Sequence, residues 1–140
     1  MKVDFRCDCP ITSAIDLIGD KWSLVVIKNM LFYNLKTFKE LSATNEGIAT
    51  NILSARLKHL EKHDFLTKKK PKDNKKTNLY QLSDKGLSLI PIIIELAIWG
   101  DTNLKDIHPS LNVDNPIDYI KLNKDTFIKV IKEQYRDKTN

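Results

Sequence analysis

The sequence has little of what several classes of protein require. It contains two cysteines in 140 residues, Cys7 and Cys9, and one intervening residue is too few to close a relaxed disulfide. The four glycines form no phosphate-binding loop, and the three histidines lack the partners of a nucleophilic or zinc-protease site. His59 and His63, four residues apart, are interpreted as a solvated helix face. We expect neither an enzyme nor a protein with a cofactor or a metal centre.

Long apolar runs are missing as well. The longest, from Leu87 to Trp99, spans thirteen residues and contains a proline and a glutamate, so it is too short to cross a bilayer. The first residues lack the apolar segment of a secretory signal. We therefore expect a cytoplasmic protein with no membrane partner. Its 140 residues, 41% of them hydrophobic, predict a single domain over residues 1–140.

Positive charge is small in sum but concentrated in one segment. The net charge of the chain is +5, and the segment from Lys68 to Lys76 alone carries six lysines against one acid, Asp73. The rest of the chain is therefore neutral. Such a cluster is typical of a surface that binds a polyanion, and nucleic acids are the commonest polyanions of the cytosol. A solvated lysine-rich loop has the same composition, so the neighbouring elements must decide.

Helical periodicity precedes this cluster. Apolar residues recur at helical spacing over residues 10–18, 22–32 and 49–62. Before the last of these segments, Thr37 and Glu40 fit a capping box that begins a very short helix, and a turn containing glycine follows it. Two helices joined by such a turn predict a helix-turn-helix over about residues 37–62.

Two short strands flank the lysines. Phe65 to Thr67 and Leu79 to Leu82 have strand character, so the lysines lie at the tip of a hairpin, a wing over about residues 65–82. Lysine accounts for 20 of the 23 basic residues, and it meets phosphate as a point charge. We therefore expect the wing to supply affinity more than sequence specificity.

The last third of the chain has a helical pattern too. A helix from Asp84 to Gly100 would be apolar around nearly its whole circumference, which predicts a subunit interface with Ile93 in its seam. After Asn115 and Pro116, apolar residues continue at helical spacing to Tyr135, and this pattern fits one long helix or two shorter ones.

A series of short motifs runs through residues 9–100 in a fixed order. They are Cys9-Pro10, Leu17 to Trp22, Phe38 to Leu41, Gly47-Ile48, Leu53 to Leu60, Tyr80 to Gly86 and Trp99-Gly100. In these motifs the chain resembles the HxlR-type branch of the MarR-like winged-helix transcriptional regulators. Two departures stand out, because Ala49 replaces the usual capping serine and the tail is longer than family members commonly carry.

The resemblance implies both a fold and partners. The fold is a winged helix-turn-helix, mainly α with a small β-hairpin wing (α+β). The implied protein is a homodimer that binds double-stranded DNA at an inverted-repeat operator. Its N- and C-terminal dimerisation elements would lie over about residues 5–20 and 84–137. The sequence does not identify a small-molecule effector.

Helix geometry selects the residues of the fourth helix that would face DNA. At about 100° per residue, a helix that buries Leu53 presents its polar side chains on the opposite face and one edge. Asn51 is the best base reader, because its amide can bond adenine bidentately, whereas Lys58 is expected at a phosphate. The expected DNA-binding residues are Thr50, Asn51, Ser54, Ala55 and Lys58 of this helix, with Lys69, Lys70, Lys72, Lys75 and Lys76 of the wing.

Arg56 lies between the two faces. It points about 60° from the core direction, so it suits an ion pair with Glu40 or Glu46 as well as a DNA contact.

Cys9 stands at the start of the first helix, immediately before Pro10. Unpaired amides and the helix dipole favour a thiolate there. Some regulators of the HxlR type sense oxidants or electrophiles through a cysteine at this place, so the resemblance suggests Cys9, and secondarily Cys7, as a redox or electrophile sensor. An unreactive structural thiol and a soft-metal ligand are the alternatives.

A second class of function stays open. A winged helix can also serve as a protein-interaction module, with the basic hairpin meeting an acidic partner. A steep loss of duplex-DNA affinity with salt separates the two functions, because counterion release scales with the number of phosphates contacted.

Overall fold

Four helices and a two-stranded hairpin form the first of two compact units, Met1–Ser83. The computed structural model describes residues 3–74, 76–112 and 117–139 of the chain. The order of elements is that of a winged helix, as predicted. The elements are α1 (Pro10–Ile18), α2 (Ser23–Tyr33), α3 (Phe38–Ser42), α4 (Thr50–Lys62), β1 (Leu66–Lys69) and β2 (Leu79–Leu82).

Local sequence explains how α1 ends and α2 begins. Pro10 lies in the first turn of α1. A backbone N–H at this position has no partner within the helix, so the absence of an N–H in proline costs no hydrogen bond. Gly19 caps the other end, and a Cβ there would lie 2.4 Å from the Ile15 carbonyl oxygen, so only glycine fits this close turn. The next helix, α2, is the core helix of the unit, with buried Val26, Ile27, Met30 and Leu31.

The helix-turn-helix has the local contacts that its sequence predicts. Thr37 Oγ1 accepts a hydrogen bond from the Glu40 amide at 3.1 Å, and Glu40 Oε1 accepts one from the Thr37 amide at 3.0 Å. Gly47 has a φ of 68°, the left-handed conformation that glycine adopts without strain. The N-cap of α4 is Ala49, which provides no side-chain hydrogen bond. The predicted capping box is thus confirmed, and the alanine in place of the usual capping serine leaves the start of α4 without a side-chain cap.

The wing is an antiparallel hairpin joined to the helices at its base. Leu66 pairs with Leu82, and both are buried, whereas toward the tip β1 becomes exposed and β2 becomes half-buried. The Tyr80 amide donates to the Lys36 carbonyl at 2.7 Å, which ties β2 to the segment before α3. Phe65, expected in the first strand, is buried just before it.

The second unit, Asp84–Asn140, is helical. The prediction of a single helix over Asp84–Gly100 is wrong, because a turn at Ser88 and Leu89 divides this segment into two helices. Pro91 explains the break, since it lacks an N–H and its ring would clash with the carbonyl four residues earlier. The helices are α5 (Asp84–Leu87), α6 (Ile90–Asn103), α7 (Ile117–Leu122) and α8 (Lys124–Thr139), with a 3-10 turn at Pro109–Asn112.

The tail adopts the second of its two expected forms, two shorter helices, while Asn115 and Pro116 lie outside the described residues. Both helices pack on α6. Asp101 of α6, a buried carboxylate, pairs with Lys121 of α7 at 3.1 Å and with Lys105 at 3.5 Å. A buried charge is tolerated only when paired, so these contacts hold α7 in place.

The apolar circumference of α6 is divided between two environments. Ile90, Ile93 and Ile94 are buried within the chain, so the expected position of Ile93 in a subunit seam is wrong. Ile92, Leu96 and Trp99 remain 41%, 53% and 58% exposed. Within the described part of the chain, no helix combines the length and the hydropathy needed to span a membrane.

Candidate nucleic-acid interface

The helix α4 has one buried face and one polar, exposed face. Leu53, Leu57 and Leu60 are buried on one face, in agreement with the helical spacing of apolar residues over residues 49–62. The inward and outward positions on α4 are therefore confirmed, whereas contact of these side chains with DNA stays a prediction. The exposed positions are Thr50, Asn51, Ala55 and Lys58, with Ser54 half-buried at the edge.

Sequence reasoning missed Ile52, which lies between two of the predicted contact residues. Its side chain is 37% exposed, on the edge of the outward face of α4. An apolar side chain at such a position suits the methyl group of thymine. Helix geometry alone could have found it, since Ile52 lies about 100° from Leu53.

The wing presents lysines that no acidic side chain among the described residues neutralises. Lys69, Lys70, Lys72 and Lys76 are exposed, and none of them forms an ion pair within the described residues. Lys68, which was not among the predicted contacts, pairs with Glu61 of α4 at 3.9 Å. Lys75 lies outside the described residues. Because β1 packs against α4, the wing and the exposed face of α4 belong to one local assembly.

Arg56 has a partner that the sequence did not indicate. Its Nη1 lies 3.3 Å from Oδ1 of Asp20, in the turn between α1 and α2. Neither expected partner is used, because Glu40 closes the capping box and Glu46 binds Lys28 at 2.6 Å. Partners 36 positions apart in the chain leave no local signal.

Glu46 fixes the turn of the helix-turn-helix to α2. Its carboxylate accepts hydrogen bonds from Lys28 at 2.6 Å and from the buried Asn29 amide at 3.0 Å. The Lys28 ammonium, with help from Asn29, outweighs partial burial and lowers the pKa of Glu46 to about 2. The turn is thus held by a carboxylate that stays ionised at neutral pH.

His59 of α4 and His63 at its C-cap do not form a solvated face, and that interpretation is wrong. Both are half-buried, with ring centroids 4.8 Å apart. Nε2 of His59 lies 2.8 Å from the carbonyl oxygen of Leu17, at the end of α1. A carbonyl only accepts, so His59 donates this bond. Among the described residues, no group of three or more side chains is arranged to hold a metal ion.

The cysteines lie at the start of α1. Cys7 and Cys9 are both exposed and unbridged. Hydrogen bonds from the Thr12 amide, the Thr12 side chain and the Ile11 amide lower the pKa of the Cys9 thiol. Arg6 binds Asp16 through Nε at 2.6 Å, which holds the segment against α1. Cys9 thus has both the exposure and the local electrostatics of a reactive thiol.

A helix-turn-helix followed by a basic hairpin defines the class of winged helix-turn-helix DNA-binding proteins. The family model for the HxlR-like helix-turn-helix matches residues 17–108, and the chain belongs to this family. It is therefore a DNA-binding transcriptional regulator of the HxlR family and not an enzyme. The helices α7 and α8 lie beyond the matched residues.

Related sequences agree with this assignment. The chain is 34% identical over 102 residues to BH0655, an uncharacterised HTH-type transcriptional regulator of Halalkalibacterium halodurans, covering 73% of this chain and 90% of the relative. It is 31% identical over 94 residues to the HTH-type transcriptional regulator YodB of Bacillus subtilis, covering 66% of this chain and 83% of YodB.

Solved structures share the fold. PA1607, described as a candidate transcription factor, matches with a TM-score of 0.64 at 32% identity, covering 70% of this chain and 67% of that one. The reduced form of YodB matches with a TM-score of 0.56 at 27% identity, covering 69% of this chain and 95% of that one. YodB has also been crystallised with a bound quinone.

Proposed function

We propose that the protein acts in the cytoplasm as a homodimer that binds an inverted-repeat operator, with α4 of each subunit in the major groove and the wing on the adjacent backbone. One observation carries this proposal. The polar face of α4 and the exposed wing lysines that form no ion pair within the described residues belong to one unit, joined where β1 packs on α4. This arrangement offers base contacts and phosphate contacts together.

The residues of α4 divide between these two tasks. In this proposal Asn51, which is exposed in the first half of the helix, bonds adenine, and Thr50 and Ser54 bond several bases. The Ala55 methyl group suits thymine, and Lys58 suits a phosphate. Specificity then resides in short polar side chains, which discriminate by hydrogen-bond geometry rather than by charge.

The wing supplies affinity for any duplex. Lys69, Lys70, Lys72 and Lys76 are exposed cations without internal partners in the described residues, and Lys75 completes the cluster in sequence. Each phosphate contact releases counterions and adds to the salt dependence of binding. An acidic protein partner would contact the same lysines, but it would not explain the polar outward face of α4.

A second copy of the chain is the proposed occupant of the apolar surfaces outside the DNA interface. On α1, Ile11 and Ile15 are 72% and 53% exposed, although they form the apolar stripe of an amphipathic helix. On α6, a shallow groove is lined by Pro91, Ile92, Glu95, Leu96 and Trp99. Apolar area of this kind favours a partner of equal character, and two-fold pairing supplies one.

The test combines duplex selection with a change of wing charge. Selection from a random duplex pool is expected to recover an inverted repeat whose half-sites lie about one helical turn, or a multiple of it, apart. Replacing Lys69, Lys70, Lys72 and Lys75 by Ala should weaken binding to all duplexes alike, and should flatten the salt slope by up to ~0.9 per lost phosphate contact. The matched control is Lys129→Ala on the exposed side of α8, which removes a charge from the other unit.

Two results would contradict the proposal. One is a selection that recovers no repeat. The other is a wing variant that binds duplexes at low salt as tightly as the wild type, and this result would favour the acidic-partner function.

Cys9 is the proposed sensor of oxidants or electrophiles, with Cys7 secondary. Its exposure, its position at the N-terminus of α1 and its lowered pKa support this role, and the related YodB has a quinone-bound structure. With diamide as the oxidant, two thiols lose two protons and two electrons to the diazene and join as a disulfide, between subunits or with a small thiol.

The sensor test compares wild type, Cys7→Ser and Cys9→Ser before and after diamide. Operator affinity and non-reducing mass are measured together. We expect Cys9→Ser to lose the response and Cys7→Ser to keep most of it. A Cys9→Ser variant that responds like the wild type, or a wild type whose affinity does not change after complete oxidation, would rule the sensor out.

A further inference from the structure

Two polar contacts tie one edge of α4 to the junction between α1 and α2. Arg56 pairs with Asp20 at 3.3 Å, and His59 donates to the Leu17 carbonyl at 2.8 Å. Arg56 and His59 are three residues apart, so they lie on the same side of α4. The Arg56 and Asp20 side chains are 28% and 30% exposed, so solvent weakens this pair only in part.

The junction that receives these contacts is itself rigid. Asp20 accepts hydrogen bonds from the Trp22 amide at 3.0 Å and the Ser23 amide at 2.9 Å, and also from the buried Ser23 hydroxyl. Partial burial raises the pKa of Asp20, but these bonds and the Arg56 charge outweigh it and lower the pKa. Because its carboxylate is already held by these bonds at the start of α2, Asp20 is restrained from following a movement of Arg56.

Apolar packing sets which face of α4 points inward, but it fixes the rotation of the helix about its own axis only coarsely. Leu53, Leu57 and Leu60 set the depth of the helix in the core, but hydrophobic burial is non-directional. A rotation of about 10° moves side-chain tips, about 5–6 Å from the axis, by about 1 Å. A displacement of that size breaks the bidentate geometry that Asn51 needs. Directional contacts are therefore needed for the fine adjustment of this rotation.

We propose that Asp20, Arg56 and His59 are positioning residues that set the rotation of α4 for base reading, and that Arg56 acts through Asp20 rather than by touching DNA. This inference rests on the proposed operator function. It assigns a role to Asp20, which lies in the turn before α2 and outside the helix-turn-helix.

The experiment breaks the ion pair from each side. Asp20→Asn keeps a side-chain oxygen for the α2 amides and removes the charge, whereas Arg56→Gln removes the opposite charge. Glu61→Gln is the matched control, because it breaks another α4 ion pair, the one with Lys68. Affinity for the selected operator and for an unrelated duplex is measured with the midpoint of thermal unfolding.

We expect Asp20→Asn and Arg56→Gln each to lower operator affinity about tenfold, the size of a lost base contact, with less than about a twofold change on the unrelated duplex. The double variant should be no worse than either single variant, because both remove the same interaction. Arg56→Lys should restore part of the preference, and Glu61→Gln should keep all of it.

Three outcomes would overturn the inference. If Arg56→Gln weakens both duplexes and Asp20→Asn weakens neither, Arg56 contacts phosphate directly. If operator preference is unchanged in both variants while the wild type is selective, the pair does not position α4. If thermal stability and both affinities fall in proportion, the pair is only structural. A wild type without sequence preference would overturn the proposed operator function instead.

Discussion

The helices α4 and α6 each bury one apolar face, but they differ in the side chains that they expose on the other face. The helix α4 buries leucines on one side and presents polar or charged side chains on the other. The helix α6 buries isoleucines on one side, yet it also exposes Ile92, Leu96 and Trp99. The outer face of α4 is stable in water and available to a polyanion. The outer face of α6 gains stability only when another apolar surface covers it.

The supports of the two helices differ as well. Polar contacts from the α1–α2 junction hold α4, through Asp20 and the Leu17 carbonyl. The chain's own tail packs on α6, with Asp101 bound to Lys121 and Glu95 bound to Lys124. The tail therefore covers part of α6 without covering its exposed groove. This difference suggests a separate test for each face.

The largest expected effect comes from the buried faces, where the two helices should behave alike. Leu53→Ala and Ile94→Ala each remove a fully buried branched side chain, so each should lower the free energy of unfolding by about 2–5 kcal/mol. Urea unfolding at one fixed protein concentration measures this, with Ile52→Ala as the exposed control. A loss below about 1 kcal/mol for Ile94→Ala would show that the inner face of α6 is not a true core.

The next largest effect concerns dimer formation, which should depend on the outer face of α6 and not on that of α4. Leu96→Asp should raise the dimer dissociation constant more than about 100-fold, because an unpaired carboxylate would be buried in the seam. Sedimentation equilibrium measures this. Asn45→Asp adds the same charge to the exposed turn between α3 and α4, outside the proposed dimer contacts, and should leave the dimer intact. A wild-type chain that sediments as a monomer at micromolar concentration would contradict the proposed interface.

On α4, loss of the Asn51 amide should affect recognition rather than assembly. Asn51→Ala should cost about 1–3 kcal/mol of operator affinity and leave non-specific affinity nearly intact, because it removes a base contact but no charge. Fluorescence anisotropy on two duplexes measures both values. Lys58→Ala is the companion variant and should weaken both duplexes alike. Equal losses in Asn51→Ala would mean that Asn51 supports the helix instead.

The smallest effect concerns the turn before α4. The pKa of Glu46 in the folded chain is about 2, below its ordinary value of 4.5, so its stabilising effect is complete above pH 4.5 and is lost as pH falls toward 2. Because the Lys28 pair is partly solvated, Glu46→Gln should lower stability at pH 7 by no more than about 1 kcal/mol. The difference from wild type should vanish near pH 2. If the difference in stability persists near pH 2, it arises from packing and not from the charge of Glu46.

Several local features were predictable because their contacts are close in sequence. The capping box of Thr37 and Glu40 spans three residues, and the buried leucines of α4 repeat at helical spacing. Pro91 was a local signal for a helix break as well, but the apolar residues around it continue at helical spacing, and the segment was therefore interpreted as one helix. The inward and outward faces of α4 follow from the same periodicity, which is why its exposed positions were assigned correctly.

The sequence by itself determined the class of fold, the order of elements and the place of the lysine cluster. These depend on periodicity, caps and turns, which act over a few residues. Only the tertiary structure decided that Arg56 pairs with Asp20, that His59 binds the end of α1, and that Ile93 is buried while Ile92 is exposed. Such partners depend on how the helices pack. In a helix that is apolar on every side, the sequence does not indicate which apolar residues will be buried within the chain and which will stay exposed.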